Sequence, residues 1–152
     1  MAYNEPLIPP IRTQTGINFK YTAISLSTVF GYDHVYAESF TEDNHSDPGG
    51  AYTPATTDCI VNVNEAKVYK NGTSYYSDVI ALAAAKNDAY LIVEYEGTAP
   101  VVKLHRDDHA TNTDTLTLYT EVALGAAINS YRIEIEIGAV DTYVYSIGVF
   151  LK

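Results

Sequence analysis

The amino-acid sequence predicts an all-β fold, an antiparallel β-sandwich or jelly roll that follows an extended N-terminal arm. Short stretches in which apolar and polar residues alternate recur along the chain, and alternation indicates a strand with one buried face. Turn-forming residues separate these stretches, at the spacing of a sandwich rather than of βαβ units. The composition agrees: the chain has 14 tyrosines and no tryptophan, with many threonines, and tyrosine and threonine favour strands.

Length and charge restrict the classes of function. The 152 residues carry a formal net charge of −10, which disfavours binding to nucleic acid and to an anionic membrane surface. No apolar run approaches the roughly 20 residues that cross a bilayer, and the first residues do not resemble a secretory signal. Cys59 is the one cysteine, so we expect neither an intrachain disulfide nor a cysteine-based metal site. We expect a single domain over 21–152, with no internal repeat.

Residues 1–20 form the predicted arm. Prolines favour an extended polyproline geometry, whereas apolar side chains would be unfavourable in a solvated tail. The arm contains both kinds: Pro6, Leu7, Ile8, Pro9, Pro10 and Ile11. We therefore expect an arm that docks, either on its own domain or on a neighbouring subunit.

The strands follow in order. The predicted strands cover residues 21–30, 35–40, 57–63, 66–70, 73–76, 89–95, 101–105, 115–120 and a C-terminal pair. Asn71-Gly72 predicts a tight hairpin, since both residues tolerate the positive φ of a type I′ turn. Residues 79–85 fit either a short helix capped by Asp78 or a strand that turns at residues 86–88 and pairs with 89–95. The β-rich surroundings favour the second alternative.

The C-terminal residues predict a hairpin with one strand in solvent and one at an interface. In the first run, apolar residues at 131, 133, 135 and 137 alternate with Arg132, Glu134 and Glu136, which predicts that this strand faces solvent. In the second run, Val144 and Phe150 lie opposite the predicted core side. We therefore expect this strand to be covered on both faces, by the arm or by another subunit.

Two groups of residues could bind a metal ion. His105, Asp107 and His109 form the densest cluster of possible ligands, although a polar turn between strands explains the same residues. The acidic loop at 38–47 offers oxygen ligands of the kind calcium uses but lacks the spacing of a calcium-binding loop. We expect no metal and no other cofactor, with calcium as the alternative.

The sequence predicts binding or assembly rather than catalysis. It contains no Gly-x-Ser-x-Gly motif and no phosphate-binding glycine loop, and its acidic and histidine residues specify no catalytic arrangement. Sugar-binding sandwiches stack pyranose faces on exposed aromatic rings. Four tyrosines in or beside predicted loops are candidates for that role: Tyr36, Tyr52, Tyr75 and Tyr76.

Two families share features with this chain. The strand at 89–95 and the pair at 131–151 resemble the rhythm of the jelly rolls in carbohydrate-binding modules. The start at Met1, the proline-rich arm at 6–11 and the acidic, disulfide-free β domain resemble capsid decoration proteins of tailed phages. The second resemblance implies a non-catalytic homo-oligomer, such as a trimer, on the virion surface, with the arm holding a neighbouring subunit or the capsid protein. A glycan-binding module, assisted by calcium, is the alternative.

Overall fold

The computed structural model describes residues 30–40, 59–62, 67–70 and 74–152. Within these ranges the chain forms nine strands and no long helix, which confirms the all-β prediction. The strands are β1 (His34–Glu38), β2 (Cys59–Asn62), β3 (Lys67–Lys70), β4 (Ser74–Tyr76), β5 (Ile80–Glu96), β6 (Val101–His105), β7 (Thr113–Leu116), β8 (Glu121–Glu136) and β9 (Tyr143–Leu151). The predicted arm, Tyr52 and most of the predicted strand at 21–30 lie outside the described residues.

The strands build an antiparallel assembly around one core. The strand order is β2-β3-β9-β5-β8-β6-β7, with β1 also on β9 and β4 also on β8. Residues 121–131 of β8 pair with β5, whereas residues 132–136 pair with β6, so the strand passes from one group of strands to the other. The main core draws buried side chains from β4 to β9. This arrangement is consistent with a sandwich, but it does not establish the jelly-roll topology.

The predicted C-terminal hairpin is wrong in its pairing. Both strands exist, and Tyr131, Ile133, Ile135 and Ile137 are all fully buried, as their alternation predicts. However, β8 does not pair with β9; β9 pairs with β5 on one edge and with β1 and β3 on the other. An alternating pattern predicts which face of a strand is buried, but it does not predict which strand pairs with it.

The two predicted interface residues of β9 are covered by the chain itself. The pairing of β5 with β9 has a bulge between Glu94 and Tyr95, which shifts the alternation of β9 by one residue. Val144 consequently lies in the main core. Phe150 does lie outside that core, in a second buried cluster with Tyr32 and Ile92. The strand is buried on both faces, as expected, but Val144 and Phe150 do not form an exposed interface.

Residues 79–89 form neither the helix nor the turn that the sequence predicts. β5 continues from Ile80 to Glu96, past the predicted turn at 86–88. Lys86 is buried and forms an ion pair with Asp33, while the amides of Asn87 and Asp88 donate to the carbonyl of Lys152 at 2.9 and 3.1 Å. Partners distant in sequence therefore satisfy the polar groups that suggested a turn.

The predicted hairpin at Asn71-Gly72 is also wrong in its pairing. β3 pairs with β2 and β9, and β4 pairs with β8. The strands on either side of Asn71-Gly72 therefore pair with other strands rather than with each other.

The chain contains an internal repeat, contrary to the expectation from sequence. Residues 80–88 read Ile-Ala-Leu-Ala-Ala-Ala-Lys-Asn-Asp, and residues 122–130 read Val-Ala-Leu-Gly-Ala-Ala-Ile-Asn-Ser. In both copies an alternating, buried strand segment follows directly, over 89–93 and 131–135.

The two copies pair with each other about a pseudo-twofold axis. Ile80 pairs with Tyr131, and the equivalent pair is Ala89 with Val122. Ala81 likewise pairs with Ser130, and its equivalent is Asp88 with Ala123. Lys86 pairs with Ile128, its own equivalent, so the axis passes between these two residues.

Hydrogen bonds outside the strand pairing follow the same symmetry. The amide of Ser77 donates to the carbonyl of Ile133 at 2.9 Å, and the equivalent amide of Tyr119 donates to that of Leu91 at 2.9 Å. In both copies, two consecutive amides also donate hydrogen bonds to one oxygen. The amides of Asn87 and Asp88 donate to the carbonyl of Lys152. The equivalent amides of Asn129 and Ser130 donate to Oδ1 of Asp107.

Candidate functional site

A buried polar cluster connects three strands. Glu134 on β8 accepts a hydrogen bond from Ser74 Oγ on β4 at 2.7 Å and from His105 Nε2 on β6 at 2.6 Å. The ring of Tyr76 packs against that of His105, with 5.9 Å between the centroids. Arg132 lies opposite His105 in the strand pairing and is buried too. Arg132 and Glu134 were expected to face solvent, and that prediction is wrong because strand pairing supplies partners for charged groups that would otherwise need water.

The cluster keeps Glu134 ionised. Burial raises the pKa of the Glu134 carboxyl, but the hydrogen bonds from His105 and Ser74 outweigh it and bring the pKa to about 2. The serine and the histidine both contact the carboxylate. The serine hydroxyl donates its hydrogen bond to the acid, whereas in a Ser-His-acid triad the hydroxyl donates to the histidine. Its chemistry is that of a buried ionic junction between strands.

The three candidate metal ligands have separate partners. His105 donates to Glu134, whereas Asp107 Oδ1 accepts the amides of Asn129 and Ser130 at 2.8 and 2.7 Å. His109 Nε2 lies 2.9 Å from Ser130 Oγ. In the part of the chain that the structure describes, no three His, Cys, Asp or Glu side chains are grouped to hold a metal ion. The alternative reading of these residues, a polar connection between strands, fits the geometry.

The acidic connection between β6 and β7 is organised by its own hydrogen bonds. Asp108 accepts the amides of Ala110, Thr111 and Asn112, and Thr111 Oγ1 donates to it at 2.6 Å. The side-chain hydrogen bond from Thr111 and these amides bring the pKa of Asp108 to about 2. Asp108 therefore uses its oxygens to fold the loop. Of the acidic loop at 38–47, the calcium candidate, residues 41–47 lie outside the described ranges.

Of the four tyrosines predicted to bind sugars, two are buried and a third is half-buried. Tyr75 belongs to the main core, and Tyr36 packs against that core from β1. Tyr76 is buried beside His105. All three lie in strands rather than loops, and Tyr52 lies outside the described residues. Because strand side chains alternate between faces, tyrosines in these positions pack inside the protein.

Other tyrosines are exposed, at one end of β5. Tyr95 is 37% exposed and Tyr119 is 43% exposed. Burial raises the pKa of Tyr119, and the neighbouring Tyr95, Tyr90 and Glu94 raise it further. We call Tyr90, Tyr95, Tyr119 and Glu94 the tyrosine corner. Sequence analysis missed it, although a tyrosine in the connection that precedes a long strand was a visible signal.

The backbone fixes the position of Tyr119. Its φ is +56°, in the left-handed region that bulky side chains rarely adopt. Its hydroxyl donates to the carbonyl of Val93 at 3.1 Å, and its amide donates to that of Leu91. Residues held in such conformations concentrate at binding sites.

A second exposed apolar surface lies on β1. Among the described strands β1 pairs with β9 alone, so its other edge has no strand neighbour there. Val35 is 44% exposed, Ala37 is exposed on the same face, and Phe30 is exposed just before the strand. We call Phe30, Val35 and Ala37 the β1 edge patch.

The chain matches no protein-family model and no curated protein sequence. Over the described residues, no helix is both long and apolar enough to cross a membrane.

Proposed function

We propose that this chain is a non-catalytic assembly protein, a homo-oligomer whose N-terminal arm docks on a neighbouring subunit or on a virus capsid. In this role it resides on the virion surface as a capsid decoration protein, and a trimer is the expected oligomer. The observation that supports assembly best is the β1 edge patch. An edge strand with exposed apolar side chains is a template for pairing with another chain.

The position of β1 strengthens this argument. β1 begins at His34, shortly after the proline-rich arm, so an interface at its edge would bring the arms of two subunits close together. In a trimer, the β1 edge patch of each subunit would contact a different surface of its neighbour, with Val35 inside that heterologous contact. Apolar contact and backbone hydrogen bonds would then stabilise the same interface.

Four titratable side chains among the described residues have structural roles. Glu134, His105, Asp107 and Asp108 hold strands or loops through the hydrogen bonds described above. The glycan-binding alternative rested on Tyr36, Tyr52, Tyr75 and Tyr76, of which Tyr75 and Tyr76 are buried. Assembly is therefore the better-supported function.

Light scattering of the full chain tests the proposal. We expect a concentration-dependent oligomer that dissociates on Val35→Glu, because the substitution would bury a carboxylate in an apolar contact. Val79→Glu is the matched control, since Val79 is 45% exposed and lies outside the β1 edge patch.

Deletion of residues 1–17 completes the experiment. Loss of particle binding, or of the oligomer, on deletion would support docking through the arm. A monomer at all concentrations, with no affinity for capsids, would contradict the proposal.

A further inference from the structure

The internal repeat offers a comparison between two equivalent corners of the same chain. The pseudo-twofold axis relates Tyr119 to Ser77 and Tyr95 to Ile137, so each corner combines residues of both copies, and Ser77 and Ile137 are fully buried at theirs. The amides of Ser77 and Tyr119 make equivalent hydrogen bonds, although of the two only Tyr119 has a positive φ. The two corners therefore share their strand pairing but differ in what they display, and only the corner of Tyr95 and Tyr119 presents these two aromatic rings.

Tyr119 is exposed, and its backbone has a left-handed conformation that tyrosine rarely adopts. Ser77 occupies the equivalent position, and its Oγ accepts a hydrogen bond from the amide of Ile133 at 2.9 Å. Tyr119 instead has a left-handed backbone conformation, and its ring is exposed. The hydroxyl of Tyr119 donates to the carbonyl of Val93, and this hydrogen bond fixes the ring where it is partly exposed. A side chain fixed at the surface by such a backbone conformation is typical of a ligand site.

The surface chemistry of the tyrosine corner restricts that ligand. Tyrosine rings offer flat apolar faces with polar edges. Glu94 lies within the corner, and Glu96, next to Tyr95, is exposed and accepts a hydrogen bond from Tyr145 at 2.8 Å. A ligand with flat apolar groups and a positive charge complements this surface. Aromatic surfaces recognise proline-rich segments in this way, since a preformed polyproline helix loses little entropy on binding.

The chain itself contains such a segment. Residues 5–12 read Glu-Pro-Leu-Ile-Pro-Pro-Ile-Arg, and Arg12 follows the prolines directly. Residues 1–29 contain two cations, Arg12 and Lys20, and one acid, Glu5, in a chain whose net charge is −10. The charge of the arm is therefore opposite to that of the rest of the chain.

We propose that the tyrosine corner binds residues 6–12 of a second copy of this chain. This inference rests on the proposed function and names the site at which the arm docks. The prolines lie on the rings of Tyr95 and Tyr119, and Arg12 reaches the exposed carboxylate of Glu96. The tyrosine corner thereby acts as the receptor for the arm, and the β1 edge patch acts as a separate contact.

The test uses the full chain and a fluorescent synthetic peptide of residues 3–14. Titration by anisotropy is expected to give saturable binding to the full chain. The double variant Tyr95→Ile, Tyr119→Ser replaces both rings with the residues of the equivalent corner, and we expect it to weaken binding at least tenfold. A peptide with alanine at positions 6, 9 and 10 is expected to weaken binding equally.

Controls separate the binding site from general effects. Val79→Ser removes an exposed apolar side chain just before Ile80, at the opposite end of β5 from Tyr95, and it should leave peptide binding unchanged. Unaltered circular dichroism of the double variant shows that it folds. Should it fail to fold, Tyr119→Phe, which keeps the ring, and Tyr119→Leu, which removes it, make the same comparison.

Other outcomes overturn the inference without touching the proposed function. Equal peptide binding by the wild type and by the ring-deleted variants would mean that the arm docks elsewhere. Binding of an oligosaccharide, lost in the double variant and accompanied by no peptide binding, would assign the corner to a glycan. Dissociation of the oligomer by Val35→Glu would sustain the assembly function in either case.

Discussion

Lys86 faces Ile128 on the pseudo-twofold axis of the repeat, so the most symmetric position of the fold pairs a cation with an aliphatic side chain. Lys86 is buried and forms an ion pair with Asp33, whose side chain is largely exposed. This pair therefore ties the strand at the centre of the repeat to the segment before β1.

The first prediction concerns this ion pair. We expect Asp33→Ala to destabilise the protein more than Lys86→Met does. The first substitution leaves a buried ammonium group without its carboxylate, whereas the second removes the charge and keeps the volume, and its cost should be below about 1 kcal/mol. Urea unfolding of both variants measures the difference. The reverse order would show that the aliphatic stem of Lys86, rather than its charge, is what the structure needs.

The second prediction concerns pH and Glu134. Its pKa in the folded protein, about 2, is below the ordinary 4.5. A lowered pKa stabilises the fold above the unfolded-state value, and that stability is lost as the pH falls from about 5 to about 2. Glu134→Gln should therefore cost about 2–3 kcal/mol at pH 7 and progressively less below pH 5.

A neighbouring carboxylate provides the control for this pH dependence. Glu136 forms an ion pair with Lys103, with 2.6 Å between Oε2 and Nζ, but the Glu136 side chain is 43% exposed. Surface pairs contribute about 0–1 kcal/mol, so Glu136→Gln should change stability little at any pH. A pH-independent cost of Glu134→Gln would contradict the ionic role of the cluster.

The third prediction follows from the symmetry of the core. Leu91 and Ile133 occupy equivalent positions, and both are buried in the same core. Each substitution by alanine should cost about 2–5 kcal/mol, because it removes buried methyl groups and leaves a cavity. The two costs should agree within about 1 kcal/mol, measured by denaturant unfolding. Val79→Ala, at an exposed position, should cost less than about 0.5 kcal/mol.

The fourth prediction concerns the backbone of Tyr119. Because its φ is +56°, glycine should fit this position better than alanine, by about 1 kcal/mol. At Tyr95, which lies within β5, the order should reverse, since glycine weakens a strand. Thermal unfolding of the four variants checks both signs. Equal stability of Tyr119→Gly and Tyr119→Ala would mean that the turn relaxes once the ring is removed.

The sequence predicted the class of the fold and the buried faces of its strands. The alternation from Tyr131 to Ile137 identified four residues that are fully buried. Alternation carries no information about neighbours, however, because any strand with the right face satisfies it. The pairing of β9 with β5, rather than with β8, depends on contacts among residues far apart in sequence.

The repeat and the polar cluster show two different limits of sequence analysis. The repeat was visible in the sequence, where Ala-Leu followed by small residues and asparagine occurs at 81–87 and at 123–129. Burial of Arg132 and Glu134 was not visible, since a charged residue on an alternating strand normally faces water. Their burial depends on His105 and Ser74, which other strands bring to the same place.

β9 occupies a position with a consequence for how the chain folds during synthesis. It lies between β5 on one edge and β1 and β3 on the other, and it pairs His34 with Leu151. The ribosome delivers residues 143–151 after all of these partners, so the emerging chain holds three strands whose shared neighbour does not yet exist. Pairings so distant in sequence form slowly, and unpaired strand edges aggregate. Folding of this sheet should therefore wait until residues 143–151 have left the ribosome, and this interval is when the chain most depends on chaperones.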